Sequence, residues 1–95
     1  MSDYELVAII SPEIDEEGMG RIIDEVGKRV TNRGGAVNET NKWGKRKLAY
    51  PLRKFKEGNY ISTRFKLDSK LIKEVEAEIR ASEEILRHLV VKIGD

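Results

Sequence analysis

The 95-residue sequence has no cysteine and a single histidine, and these shortages argue against several kinds of active site. Without thiols the chain can form neither disulfides nor thiolate nucleophiles, and nothing points to an oxidising compartment. The acidic residues lie mostly at helix starts and on helix faces, so no set of metal ligands has a useful spacing. His88 has no Ser or Asp nearby in sequence with which to form a catalytic triad. We therefore expect no metal site and no cofactor, and these residues give no support to an enzyme.

Long hydrophobic runs are also missing. No apolar run approaches the length that spans a membrane, and the N-terminus lacks the basic start and the apolar core of a signal peptide. We therefore expect a cytoplasmic protein without a membrane partner. The length suits a single domain over residues 1–95, with enough chain for one hydrophobic core.

The net charge of +1 conceals a strong asymmetry along the chain. Acidic residues are concentrated between positions 13 and 17, whereas the segment 40–56 has no Asp or Glu and contains seven cations, Lys42, Lys45, Arg46, Lys47, Arg53, Lys54 and Lys56. Trp43, Tyr50 and Phe55 are interleaved with them. Because cations neutralise phosphates and aromatic rings stack on unpaired bases, this segment favours RNA binding. The alternative is a solvated basic hairpin with Tyr50 and Leu48 in the core, in which Trp43 only packs.

Apolar periodicity predicts a strand and then a helix in the first third of the chain. The strand covers Tyr4 to Ile10 and is apolar at both parities, as expected for a central strand. Asp15 caps the helix and Gly34 closes it as a C-cap. One face of this helix is apolar, formed by Met19, Ile22, Ile23, Val26 and Val30.

A hairpin is predicted next. A long strand from Ala36 to Leu52 bends at Gly44, and Pro51 is tolerable near its end or at a sheet edge. Residues 51–58 connect it to a strand from Tyr60 to Leu67, in which apolar and polar residues alternate.

A second helix and a last strand complete the chain. The helix is capped by Asp68 or Ser69 and ends near Ser82, and the strand covers Ile85 to Ile93. Because this strand is apolar at both parities, its pattern leaves the orientation of His88 open. The whole order predicts a ferredoxin-like α+β fold, βαββαβ, with two helices on one face of a four-stranded antiparallel sheet. The first and third strands are central, and the free face of the sheet invites a partner.

The ten residues Gly44-Lys-Arg-Lys-Leu-Ala-Tyr-Pro-Leu-Arg53 resemble the signature of the bacterial ribosomal small-subunit protein six family. That signature consists of a Gly, basic residues, Leu-Ala-Tyr-Pro, an aliphatic residue and a polar or basic residue. Leu52 stands where isoleucine is usual. Other landmarks fall in register with the family along nearly the whole chain, namely Tyr4-Glu5, Pro12, Gly34, Gly58 and Val90-Val91-Lys92.

The resemblance implies a structural constituent of the small ribosomal subunit that supports subunit assembly and translation. It implies binding to the central domain of 16S ribosomal RNA together with ribosomal small-subunit protein eighteen, with no catalysis and no small-molecule substrate. The residues expected to bind phosphates are Lys45, Arg46, Lys47 and Arg53, supported by Lys42, Lys54 and Lys56. Tyr50 is a further candidate for RNA contact, although such a residue in a strand more often holds the fold. Tyr4, Arg87 and Lys92 are candidates for a second RNA-facing patch.

Two other functions stay open at this point. A ferredoxin-like regulatory or oligomerisation module would bind a protein or a small ligand on its exposed sheet face, and it would show no affinity for RNA. An enzyme of the same fold would require a concave pocket with convergent polar groups and shifted pKa values.

Overall fold

The sheet and helices follow the predicted order in the computed structural model, which describes residues 1–94. The elements are β1 Ser2–Ile10, α1 Glu16–Thr31, β2 Ala36–Leu52, β3 Phe55–Leu67, α2 Ile72–Arg80 and β4 Ile85–Gly94, with a 3-10 turn at Ser69–Leu71. Four strands form one antiparallel sheet in the order β2-β3-β1-β4. The ferredoxin-like prediction is therefore confirmed, with β1 and β3 at the centre. None of the described helices is long and apolar enough to cross a membrane.

The core lies between the sheet and the two helices. Side chains of β1 alternate between buried and half-buried positions, so every second residue points towards the helices. The paired strand β3 alternates in the same way, and Leu6 and Phe65 are both almost completely buried. Complete burial of one such side chain contributes roughly 1.5–3 kcal/mol to stability. The opposite face of the sheet, which no described helix covers, is called the outer face below.

Helix α1 begins as predicted and ends slightly earlier. The Asp15 carboxylate accepts a hydrogen bond of 2.8 Å from the Gly18 N–H, and four of the five predicted apolar residues are fully buried. The C-cap is Asn32 rather than Gly34. Gly34 instead adopts a left-handed φ of +82° in the turn that follows, because the chain must reverse there to enter β2.

Helix α2 is reached through the short 3-10 turn. The Asp68 carboxylate caps that turn by accepting from the Lys70 N–H at 3.0 Å, so Asp68 does not cap α2 directly. Val75 and Ile79 are buried, and the helix ends with Ala81 as its C-cap, one residue before the predicted end.

An ion-pair cluster joins the two helices on the surface. Glu78 of α2 accepts hydrogen bonds from Arg33 at 2.7 Å and from Arg29 at 3.1 Å. The hydrogen bond from Arg33, and then that from Arg29, lowers the pKa of the Glu78 carboxyl below its ordinary value. The same hydrogen bond raises the pKa of Arg33, and Glu74 adds a longer ion pair to Arg33 at 3.6 Å.

A bulge in β4 settles the direction of His88. Ile9 pairs with Arg87 whereas Ile10 pairs with Ile85, so β4 holds one additional residue and its alternation changes phase there. His88 therefore pairs with Ala8 on the helix side of the sheet, and its Nε2 lies 3.7 Å from a carboxylate oxygen of Glu76. The strand is apolar at both parities because Leu89, Val91 and Ile93 are apolar although they are exposed on the outer face.

Candidate nucleic-acid interface

The β2–β3 hairpin is longer than the sequence predicts. Strand β3 begins at Phe55 rather than Tyr60, and the connection is a two-residue turn at Arg53 and Lys54 instead of the segment 51–58. The charged residues and Gly58 suggested a loop, but cross-strand pairing continues to Leu52 and Phe55 at the tip. Exposed charged side chains are compatible with a strand at the edge of a sheet, where β2 lies.

Three irregularities bend this hairpin. Strand β2 gains one residue over β3 near Asn38 and another at Trp43. Between the pairs Lys47–Glu57 and Leu52–Phe55, four residues of β2 oppose only one of β3. Bulges bend a strand and increase its twist, so the distal part of the hairpin turns across the outer face towards β4. This distal part, residues 46–57, is called the arm below.

Trp43 lies on the outer face beside the base of the arm. Gly44 has a φ of +89°, which completes the bulge predicted at this glycine. The Trp43 ring stacks on Tyr60 with a centroid distance of 6.1 Å, and its Nε1 donates a hydrogen bond of 3.1 Å to Ser62 Oγ. The Arg46 guanidinium carbon lies 5.6 Å from the centroid of the same ring. Because 42% of Trp43 remains exposed, an aromatic ring and a cation are presented to solvent together.

The end of the arm contacts β4 and the loop before it. Arg87 donates a hydrogen bond to the Tyr50 hydroxyl, and its guanidinium carbon lies 5.9 Å from the centroid of the Tyr50 ring. Arg53 Nη1 donates to the backbone carbonyl of Glu83 at 2.7 Å. These two contacts bring residues that are 37 and 30 positions apart in sequence onto one surface. Trp43, Arg46, Tyr50 and Arg87 are together called the arm patch below.

Close contact between the arm and β1 depends on Gly58. A Cβ atom at this position would lie 2.5 Å from Ile9 Cγ2, which is much shorter than a van der Waals contact. Between the arm and the sheet is a groove of about 300 Å³, lined mainly by apolar side chains such as Val7, Ile9, Leu48 and Leu89. Among residues 1–94, no three His, Asp or Glu side chains lie close enough together to hold a metal ion.

The predicted phosphate-binding cations are exposed, but they do not form one flat surface. Lys45 and Lys47 pair with Asn59 and Glu57, while Arg46 pairs with Gly58 between them. Because side chains alternate along a strand, Lys45 and Lys47 point to one face of the hairpin and Arg46 to the other. Lys54 and Lys56 are exposed at and near the arm tip.

Two further predicted cations have protein partners. Lys42 forms a 3.3 Å ion pair with Glu16 at the start of α1. The Arg53 guanidinium is directed at the Glu83 carbonyl, as described above. Sequence reasoning did not foresee that acceptor, because a backbone carbonyl leaves no signal in the residue pattern. Tyr60, which stacks on Trp43, was also not predicted as a site residue. Its position on the polar face of its strand was the one feature of the sequence that pointed to it.

The second predicted patch, Tyr4 with Arg87 and Lys92, does not form. Tyr4 lies on central strand β1, is buried, and stacks on Phe65 with a centroid distance of 5.6 Å. Lys92 pairs with Tyr4 and Arg87 with Ile9, so the two cations are on opposite faces of β4. Arg87 instead belongs to the arm patch, because the bulges in β2 bring Tyr50 to it.

Comparison with known proteins assigns the chain to a family. Residues 3–92, which include the whole arm patch, match the family model described as ribosomal protein S6. The chain belongs to the ribosomal protein S6 family. It is 40% identical over 92 residues to small ribosomal subunit protein bS6 of Fusobacterium nucleatum, covering 97% of this chain and 98% of the relative. It is also 40% identical over 93 residues to the bS6 protein of Clostridium acetobutylicum, covering 98% of both chains.

A solved structure supports the same assignment. The crystal structure of 30S ribosomal protein S6 from Thermotoga maritima superposes with a TM-score of 0.90 at 31% sequence identity, covering 97% of this chain and 87% of that chain. As a member of this family, the chain is a component of the bacterial small ribosomal subunit, which is cytoplasmic, and it is not an enzyme. The resemblance found in the sequence is thus confirmed at the level of family and fold.

Proposed function

We propose that the chain binds the central domain of 16S ribosomal RNA, together with ribosomal small-subunit protein eighteen, and thereby supports assembly of the subunit. The observation that carries RNA binding is the arm patch, in which two guanidinium groups lie against two exposed aromatic rings. Guanidinium groups bind phosphates, and aromatic rings and guanidinium planes stack on unpaired bases. Membership of a ribosomal protein family supports RNA as the ligand.

The exposed lysines lie on the same hairpin as this patch and supply long-range attraction. Lys45, Lys47, Lys54 and Lys56 are all exposed on the hairpin, in a segment without acidic residues until Glu57. Each phosphate that a cation neutralises releases counterions, so the affinity for RNA falls as the salt concentration rises. We expect these lysines to set the salt dependence of binding, and the arm patch to set its position on the RNA.

A protein partner is supported by a second surface. Leu89, Val91 and Ile93 of β4 are exposed by 60%, 44% and 48%. Leu89 lines the apolar groove under the arm, and Val91 and Ile93 continue the same face of β4. A contiguous apolar surface of this kind typically binds another protein. The choice of protein eighteen rests on the family resemblance, and this apolar surface is where we place it.

Assembly follows from selective binding. A protein that binds only the ordered form of an RNA junction shifts the RNA towards that form by mass action. If the partner protein contacts both this chain and the RNA, each component strengthens the binding of the other. Couplings of this kind are typically about 1–3 kcal/mol, or roughly 5- to 150-fold in affinity.

The test is a titration of the protein against a central-domain fragment of 16S ribosomal RNA at several salt concentrations, with and without protein eighteen. An RNA of equal length from another domain is the matched control. We expect salt-sensitive binding that strengthens when protein eighteen is present and that is weaker for the control RNA. Absence of binding both with and without protein eighteen would favour the protein-interaction module. Equal binding to both RNAs would refute selectivity for the central domain.

A further inference from the structure

The tip of the arm has an unusual turn. Its two central residues, Arg53 and Lys54, have φ values of 47° and 68°, and Leu52 pairs with Phe55 on either side. Two-residue hairpin turns with positive φ at both positions strongly favour Asn-Gly or Asp-Gly, because side chains with a Cβ are disfavoured in this region. Arg and Lys both carry a Cβ and a long side chain, so positive φ is disfavoured at both positions. The conformation of the tip therefore depends on contacts outside the turn.

Arg53 makes such a contact. Its Nη1 donates to the Glu83 carbonyl at 2.7 Å, across 30 residues of sequence. The acceptor lies in a loop that is itself held in place. The next residue, Glu84, accepts a hydrogen bond of 2.9 Å from the Ser11 N–H at its carbonyl, and its carboxylate pairs with Arg21 at 2.9 Å. The arm is therefore tied to a fixed part of the domain.

We infer that Arg53 is a positioning residue whose guanidinium latches the arm onto the Glu83 carbonyl and so keeps Tyr50 beside Arg87. This inference rests on the proposed RNA-binding function and deepens it. Three residues before Arg53 in the chain, the Tyr50 hydroxyl accepts from Arg87, so both contacts hold the end of the arm against β4 and the loop that precedes it. Arg53 thus acts on RNA through the arm patch rather than through a phosphate.

The latch has a consequence that direct phosphate binding would not have. Without it, only a fraction of the molecules has the arm in the binding-competent position, and the apparent affinity falls by that fraction. The number of neutralised phosphates stays the same, so the dependence of affinity on salt is unchanged. Removing a phosphate-binding lysine has the opposite signature, because it lowers the salt slope and leaves the arm ordered.

The experiment compares Arg53→Ala with Lys54→Ala. These variants are well matched, because both residues are exposed, both have positive φ and both lose one positive charge. Affinity for the RNA fragment is measured at several salt concentrations with protein eighteen present. Amide hydrogen exchange is followed in the free protein, and urea unfolding checks that both variants remain folded.

For Arg53→Ala we expect affinity to fall about threefold to tenfold at every salt concentration, which corresponds to the typical net contribution of one hydrogen bond. Exchange should become faster in residues 48–56 and stay unchanged in β1 and α1. For Lys54→Ala we expect the salt slope to fall by about 0.7–0.9, with exchange as in the wild type. A reduced salt slope for Arg53→Ala with unchanged exchange would identify Arg53 as a phosphate ligand and overturn the inference.

Failure of the inference is distinguishable from failure of the proposed function. If the wild-type protein does not bind RNA, the proposed function falls, and the exchange comparison in the free protein still decides whether Arg53 holds the arm. If the wild type binds and Arg53→Ala matches it in affinity and in exchange, the latch does not exist although RNA binding stands.

Discussion

The indole ring of Trp43 lies nearly parallel to the phenol ring of Tyr60, at an angle of 9° and a centroid distance of 6.1 Å. Lys42 pairs with Ile61 on the helix side, so alternation along β2 places the Trp43 side chain on the outer face, where it reaches Ser62. The stack joins a residue of the proposed RNA-binding surface to the central strand β3. A change at Trp43 is therefore expected to affect both RNA binding and the stability of the fold.

Replacing Trp43 by Phe should retain the stack on Tyr60 and remove the hydrogen bond from Nε1 to Ser62. Because Ser62 is buried, its hydroxyl would be left without this donor, and we expect a loss of about 0.5–1.5 kcal/mol in unfolding free energy. Urea unfolding of Trp43→Phe, Ser62→Ala and the double variant measures the coupling. If the two single effects simply add, the hydrogen bond contributes nothing to stability.

Replacing Lys45, Arg46 and Lys47 together by Ala should weaken RNA binding and leave the fold intact, because all three side chains are exposed. The salt slope should fall by about 0.7–0.9 for each phosphate that the variant no longer neutralises. Binding isotherms at several salt concentrations measure the slope, and circular dichroism monitors the fold. An unchanged slope accompanied by lower stability would assign these residues a structural role.

Acid should weaken the contact between the helices through Glu78. Hydrogen bonds from Arg33 and Arg29 lower the pKa of this carboxyl in the folded chain, so the folded state binds its proton less readily than the unfolded state. The stabilisation is present above the ordinary carboxyl pKa and is lost as the pH falls below it, through the lowered pKa of the folded state.

Glu78→Gln is the matching variant, because it keeps the shape and removes the titration. Unfolding free energy measured between about pH 7 and pH 3 should fall less steeply for this variant than for the wild type. Glu25→Gln, on an exposed carboxylate with a longer 3.4 Å contact to Arg21, serves as the control. Identical pH profiles for Glu78→Gln and the wild type would show that the ion pairs contribute nothing.

Adding one methyl group at Gly58 should destabilise the junction between the arm and β1. The new Cβ would lie 2.5 Å from Ile9 Cγ2 and 3.3 Å from the Ile10 carbonyl oxygen. Overpacking of this kind typically costs about 1–3 kcal/mol. The same substitution at Gly20, a helical glycine with nothing within 4 Å of its new Cβ, should instead stabilise the protein by about 0.5–1 kcal/mol. Thermal or urea unfolding of both variants measures these changes in stability. A Gly58→Ala protein as stable as the wild type would contradict the close contact.

Local sequence patterns predicted most of the architecture. The apolar run of β1, the alternation in β3, the carboxylate of Asp15 and the apolar face of α1 each predicted an element that the structure contains. These predictions hold because helix and strand periods are properties of short segments. The family signature identified the same fold and the ribosomal family independently of these patterns.

The sequence by itself therefore determined the fold, the family, the basic hairpin and the candidates for RNA contact. Only the tertiary structure decided which of those candidates meet, because bulges and cross-strand register place residues that are distant in sequence. Extra residues in β2 brought Tyr50 to Arg87 and turned Arg53 towards Glu83, while pairing in β4 put Lys92 on the other face of its strand. Such displacements depend on the sum of contacts along two strands, so no local window of sequence reveals them.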